Sequence, residues 1–204
     1  MTAGDRVTHF YDPGAVMPES IVDIVNRALD YLGQQPLVSL EEPGPNAAKI
    51  RRIWPMVRDG VLREHSWKGA TRRIQLNELQ HKPTFGFERR FQLPPDFLRL
   101  VDTFPHNARV EVEGDSLLAD VRNLSIAYIA KVEDPRLFDA VLSDVLSLKL
   151  AAELAFGVSA SVSLAQQLED RYRQRLRDAR GYDARESAGP ERRLGSWAQS
   201  KLGL

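Results

Sequence analysis

The residues able to do chemistry are few and stand apart. Four histidines occur in 204 residues: His9 near the start, His65 after Glu64 at a predicted helix end, His81 and His106 in predicted turns beside Lys82 and Pro105. A cation at a helix C-terminus is favoured by the helix dipole, so His65 reads as a dipole partner or surface contact before a catalyst. No HExxH, HxH or His-Asp-Ser spacing exists, so metal-assisted hydrolysis and acyl transfer have no footing. Cysteine is absent, which removes disulfides, thiolate zinc sites, Cys nucleophiles and iron–sulfur clusters together. Gly4, Gly14, Gly33, Gly44 and Gly60 are scattered and build no phosphate loop. Glu41-Glu42 and Glu169-Asp170 read as solvated faces. The expectation is a chain that is not an enzyme, with no catalytic residue, cofactor or metal.

Charge is informative in its distribution. The 28 basic and 28 acidic residues cancel, so nothing global favours a nucleic-acid binder. Between Arg51 and Arg90, however, ten Lys or Arg (Arg51, Arg52, Arg58, Arg63, Lys68, Arg72, Arg73, Lys82, Arg89, Arg90) face four acids (Asp59, Glu64, Glu78, Glu88). Such a surface meets either an acidic protein neighbour or passing nucleic acid. The protein neighbour is favoured, because stacking aromatics are sparse among these cations.

The elements that must position these residues are readable from periodicity. Ile21, Ile24, Val25, Ala28, Leu29 and Leu32 share one face of a first helix, with Ser20 as its N-cap and Gly33 as its stop. A Pro/Gly loop follows, and Asn46 is expected to cap a second helix through His65, kinked at Pro55. From Trp67 to Val132 the period shifts toward two. Six strands are expected there: Arg72 to Leu79, Phe85 to Gln92, Phe97 to Thr103, Ala108 to Glu113, Ser116 to Asp120 and Leu124 to Val132, with a hairpin at Glu113-Gly114-Asp115. Trp67 reads as a core anchor. After Asp134-Pro135 a long apolar helix runs from Arg136 to Phe156, and a last one from about Ser161 to Ala179. Leu146 to Val158 is too short and too charged to span a membrane, and Met1 to Pro18 lacks the apolar stretch of a secretory signal.

The expected fold class is α+β, mainly α: a four-helix bundle with an inserted small antiparallel β unit and an extended C-terminal arm. The expected organisation is an N-terminal extension (1–19), a helical bundle (20–66 and 133–182), the inserted β unit (67–132) and the arm (183–204). The motivation is that each helix pair has an apolar stripe to bury.

Five segments carry a resemblance. NRALDYLG at Asn26 to Gly33, VRDGVLREHSW at Val57 to Trp67, FQLPPDFLRL at Phe91 to Leu100, YIAKVEDPRLFD at Tyr128 to Asp139 and LKLAAELA at Leu148 to Ala155 occur in this order. Together they resemble the head-to-tail adaptor of short-tailed bacteriophages, also called tail tubular protein A, over about residues 20 to 186. The chain departs from that pattern at Arg89 and Arg90, where relatives tend to carry aromatics, and at Trp54, where tyrosine is common.

The resemblance implies a structural virion protein at the head-tail junction, assembled in the host cytoplasm. Its copies would form a ring, twelve in the relatives, between portal protein and tail nozzle protein. DNA would pass through the lumen without sequence-specific binding, and no membrane is involved. The alternatives are a DNA-binding accessory protein and, last, a small enzyme. In a closed ring two different faces of each copy must match. The mixed-sign surfaces of the second and last helices offer Arg51, Arg52, Arg58, Arg171 and Arg175 as subunit-interface candidates. Past Gly181 helical periodicity is lost, yet Leu194, Trp197, Leu202 and Leu204 supply apolar anchors, so the C-terminal arm is expected to dock on the portal.

Overall fold

The computed structural model describes residues 20–158 and 161–187, with the side chains of 156–158 and 182–187 left aside. Two helices open the chain, α1 (Ile21–Tyr31) and α2 (Pro45–Glu64). Six strands follow: β1 (Thr71–Gln75), β2 (Arg89–Gln92), β3 (Phe97–Phe104), β4 (Val110–Glu113), β5 (Ser116–Ala119) and β6 (Ser125–Ala130). Two more helices complete the described residues, α3 (Ala140–Val158) and α4 (Val162–Ser187).

Local chemistry sets the boundaries. Ser20 and Asp23 form a reciprocal capping box at the start of α1. At its end Gln34 N–H reaches Leu29 O (3.0 Å) and Gly33 N–H reaches Asp30 O (3.1 Å), the paired bonds of a Schellman ending, with Gly33 at φ +64°. Asn46 does not cap α2. Gly44 does, with Pro45 at the first helical position, where a missing N–H costs nothing. The helix then runs on through Pro55.

The predicted start of the third helix divides in two. Asp134 accepts the Arg136 N–H over a short 3-10 turn, Pro135–Leu137; α3 begins only at Ala140, where the Asp139 carboxylate accepts the Leu142 N–H at 2.7 Å. The interruption brings Leu137 against a second 3-10 turn, Lys68–Ala70, so closely that a Cβ on Gly69 would lie 2.0 Å from Leu137 O. Only backbone can yield there. Gly69→Ala should therefore lower stability by about 1–3 kcal/mol, the usual range for overpacking; an unchanged midpoint in denaturant unfolding would show that the two turns are not pressed together.

The strands form two antiparallel sheets of three, ordered β1-β6-β3 and β2-β5-β4. Gly114, at φ +61°, takes the first central position of the two-residue β4–β5 turn, where glycine is favoured. The sheets enclose their own apolar cluster, built on Phe91, Leu117, Ala119, Leu124, Ile126 and Tyr128. On its other side the first sheet joins the helical core, because Ile129 points away from Tyr128 and packs with Trp67, Ala70 and Val132.

This corrects the expected four-helix bundle with a small β unit. The fold is α+β with four helices and two three-stranded antiparallel sheets. α1, α2 and α4 each pack chiefly on α3 rather than closing a mutual four-way core. α3 can be central because buried apolar residues fall around most of its circumference: Leu142, Val145, Leu146, Leu148, Leu150, Ala151 and Leu154 are all buried. The α4 helix is also longer than expected. It continues to Ser187, past Gly181, since one glycine costs only about 1 kcal/mol against alanine while Ala184, Arg185 and Glu186 favour helix. Leu194, Trp197, Leu202 and Leu204 lie outside the described residues, as do 1–19.

Candidate functional site

The five candidate arginines have unequal surroundings. Arg58 is only 4% exposed; its Nε donates to Asp59 Oδ1 at 2.8 Å, and a terminal nitrogen lies 3.4 Å from Glu133 Oε1. Lys131 Nζ completes this cluster, 3.5 Å from Glu133 and 3.9 Å from Asp59. The group ties α2 to the segment leaving β6. Arg175 on α4 donates to Asp144 on α3 at 2.6 Å, and Arg171 lies over the Tyr31 ring at 4.9 Å, linking α4 to α1. These three hold their own chain together. Arg51 and Arg52 are exposed on α2; Arg51 donates to Leu40 O in the preceding loop, and Arg52 has no hydrogen-bond or ionic partner among the described residues.

The basic stretch is largely neutralised in the same way. Arg89 grips both Glu78 oxygens (2.7 and 2.9 Å), Arg90 reaches Glu113 (2.9 Å) and Arg72 reaches Asp96 (2.9 Å). Arg63 donates to Leu98 O, and Arg99 answers with its Nε on Arg63 O at 2.8 Å. What looked in sequence like a basic face is mostly a set of pairs within the β region, with Arg63 and Arg99 alone among them pinning α2 to β3. Arg73 and Lys82, with Arg52, remain without a partner among the described residues.

The segments that carry the resemblance supply the joints of this fold. Asn26 spans eleven residues to clamp the loop after α1, accepting Leu37 N–H (2.8 Å) and donating to Leu37 O (2.9 Å). Trp67 is 2% exposed and its indole N–H reaches Val61 O at 3.1 Å, a core anchor as its type suggested. Asp96, after the two prolines, accepts the Tyr128 hydroxyl at 3.0 Å as well as Arg72, so one carboxylate joins β1, β6 and the approach to β3. Burial and that carboxylate push the Tyr128 phenol up from its ordinary value. Nothing in spacing alone marked Asp96. The clue was a lone acid between Pro-Pro and an apolar strand.

Lys149 on α3 is a half-buried cation, 24% exposed. It reaches Glu169 at 3.0 Å and Glu153 at 3.1 Å, while Glu169 also accepts from Arg173 at 3.1 Å. Glu169, read from sequence as a solvated face, is therefore a second bridge between α3 and α4, beside Arg175–Asp144. These residues line an open cleft of about 560 Å³. Burial alone would lower the Lys149 ammonium, but the hydrogen bonds and charges of Glu169 and Glu153 outweigh it and hold it above its ordinary value. A lysine fixed as a cation is no base or nucleophile. The cluster fastens two helices.

Beside it, the Tyr172 phenol is buried without a well-formed hydrogen bond, and burial first, then the nearby Glu64 carboxylate, push its ionisation far up. A folded-state pKa raised above the unfolded value of about 10 gives stability that is intact below pH 10 and lost as pH rises beyond it. Tyr172→Phe should thus flatten the alkaline decline in stability by up to about 1.4 kcal/mol per pH unit above pH 10. At pH 7 it should cost nothing, or gain up to about 1 kcal/mol, because no buried hydroxyl is left unsatisfied. Lys149 and Tyr128 are shifted in the same direction, so a residual slope persists. Unfolding titrations at pH 7, 10 and 11 check this, and a parallel wild-type and variant decline would refute it.

Among the described residues, no group of three His, Asp or Glu side chains is placed to hold a metal, and no helix is long and apolar enough to cross a membrane. No protein-family model matches the chain, and no curated protein matches it.

Proposed function

We propose that this chain is a structural head-to-tail connector of a short-tailed phage virion. Its copies form a ring, twelve in the relatives it resembles, between portal and tail nozzle, and DNA passes through without sequence-specific contacts. The observation that carries this reading is the run of five family-like segments in order over residues 20 to 186. Their residues serve as clamps, anchors and ion pairs rather than as reactive groups, in keeping with a building block. The DNA-binding alternative drew on the basic stretch and on the arginine-rich last helix; the arginines of the stretch are mostly taken up by acids and carbonyls of the same chain, and Arg173, Arg175, Arg177 and Arg180 of the helix likewise donate within it. A sliding duplex requires that phosphate contacts stay weak, so the lumen is expected to be acidic or mixed, without a band of Arg89 and Arg90.

The C-terminal anchors Leu194, Trp197, Leu202 and Leu204 are proposed to seat on the portal. The test is co-sedimentation of the purified chain with portal rings encoded by the same genome, alongside a variant lacking residues 195–204. Binding of the full chain, lost in the shortened one at unchanged melting temperature, is expected. A shortened chain that binds the portal but melts much lower would assign the tail to its own core. Tight binding of the free chain to duplex DNA, steeply weakened by salt, would favour the alternative.

A further inference from the structure

Two aromatic residues of the β region are left largely exposed, and Phe104 keeps one ring contact in its own chain, edge-on to His106 with centroids 5.7 Å apart. Phe85, in the loop between β1 and β2, is 87% exposed. Phe104, at the end of β3, is 65% exposed and forms the wall of a cleft of about 240 Å³ whose other lining includes Ile126, Ala127, Arg73, Asp102 and His106. A dry cavity of about 150 Å³ already accommodates benzene, so this cleft has room for one aromatic ring. Isolated apolar side chains on a surface are ordinary; an exposed ring and an apolar cleft of matching size on the same chain are less so.

The charges around them match. Phe85 lies three residues from Lys82 on one side and three from Glu88 on the other. Lys82 has no partner among the described residues, and Glu88 engages only through its backbone N–H, on Asp120. At the cleft, Arg73 is also unpartnered. Asp102 is held on one oxygen by the Thr103 N–H at 2.8 Å, and its other oxygen faces His106 at 3.4 Å, an imidazole that carries a full charge only when protonated. In sequence the loop thus carries one cation and one anion on either side of the ring, and Arg109, just before β4, donates to Gly86 O beside it. The cleft offers one anion and one cation flanking a socket.

We infer that the Phe85 ring of one copy seats in the Phe104 cleft of the next, with Lys82 against Asp102 and Glu88 against Arg73. Loop and socket are different surfaces, so the contact is head-to-tail and can propagate from copy to copy. It adds a specific contact to the proposed ring and rests on that reading only for closure of the ring. The aromatic anchor supplies most of the affinity and the two rim pairs its register.

Because the chain has no cysteine, crosslinking gives a clean test. Thr84→Cys and Ser125→Cys are made in separate preparations of the full chain and mixed under mild oxidation. The mixture should form disulfide-linked pairs at least tenfold faster than either preparation alone, and adding Phe85→Ala to the Thr84→Cys chain should remove most of that excess. Lys82→Asp should weaken it likewise, and Asp102→Lys on the socket chain should restore it. No excess in the mixture, or an excess indifferent to Phe85→Ala, overturns the contact. A chain carrying both cysteines separates this from the ring reading. A covalent ladder beyond dimers supports both contact and ring, whereas a ladder that stops at dimers keeps the loop-in-socket contact as a reciprocal pair and counts against the ring. Ring-sized assemblies that never crosslink leave the ring and discard this contact.

Discussion

Arg58→Glu is expected to cost roughly 3–5 kcal/mol of folding stability, the range for leaving an uncompensated charge in the interior. The side chain is 4% exposed, between Asp59 and Glu133, so reversal would set a third carboxylate where two already lean on a guanidinium. Lys131, 40% exposed and at longer range, cannot neutralise all three. Arg58→Met should be milder, about 1–2 kcal/mol, because the methionine fills the same space while Asp59 and the 70%-exposed Glu133 can turn to water. Denaturant unfolding of both variants gives the comparison. A wild-type midpoint for Arg58→Glu would mean that the buried cluster contributes nothing. The consequence for assembly is direct: loss of oligomers in an Arg58 or Arg175 variant would reflect damage within the subunit, whereas Arg52, exposed and without a partner among the described residues, reports on contacts outside it.

Leu146→Ala and Leu148→Ala should each cost about 2–5 kcal/mol, although the two residues point to opposite sides of α3. Both are buried, at 0% and 4% exposure, because α3 is enclosed by α1, α2 and α4. In an amphipathic bundle helix one of the pair would face water and its truncation would be nearly free. Thermal or denaturant unfolding of the two variants distinguishes the cases, and a cost under about 0.5 kcal/mol at Leu148 would contradict the central placement of α3.

That placement shows where the sequence was legible and where it was not. The Ser20 cap, the Gly33 stop, the six strands and the Gly114 turn follow from local rules, since capping, φ preference and period-two alternation act over a few residues. The packing of helices was missed because the apolar residues from Val141 to Ala155 spread around most of the helix, so no single stripe says which neighbour it meets. Read as one more bundle helix, it is in fact the axis of the helical half. The break before α3 was missed for a different reason. Pro135 is a sound helix start locally, and only the long-range approach of Leu137 to Gly69 makes it a separate turn.

Charged residues were the least legible. Arg58, Arg72, Arg89, Arg90 and Lys149 look in sequence like a solvated or partner-seeking surface, yet each meets an acid distant in the chain or on a neighbouring strand. Pairing of this kind depends on strand register, which composition does not encode. The residues left without a partner among the described ones, Arg52 on α2, Arg73 on β1 and Lys82 in the loop after it, are fewer, which makes contact with further copies a sharper question than the original excess of positive charge.

The central claim, that this chain is a ring-forming connector, is tested most directly by weighing it. Mass measurement of the purified protein, dilute and alone, and then on portal rings, is expected to give a single 23.0 kDa chain in the first case. In the second it should give a portal complex heavier by one closed set of copies, a single fixed number. Added mass that is absent, or that rises gradually with concentration without a preferred number of copies, would contradict the account.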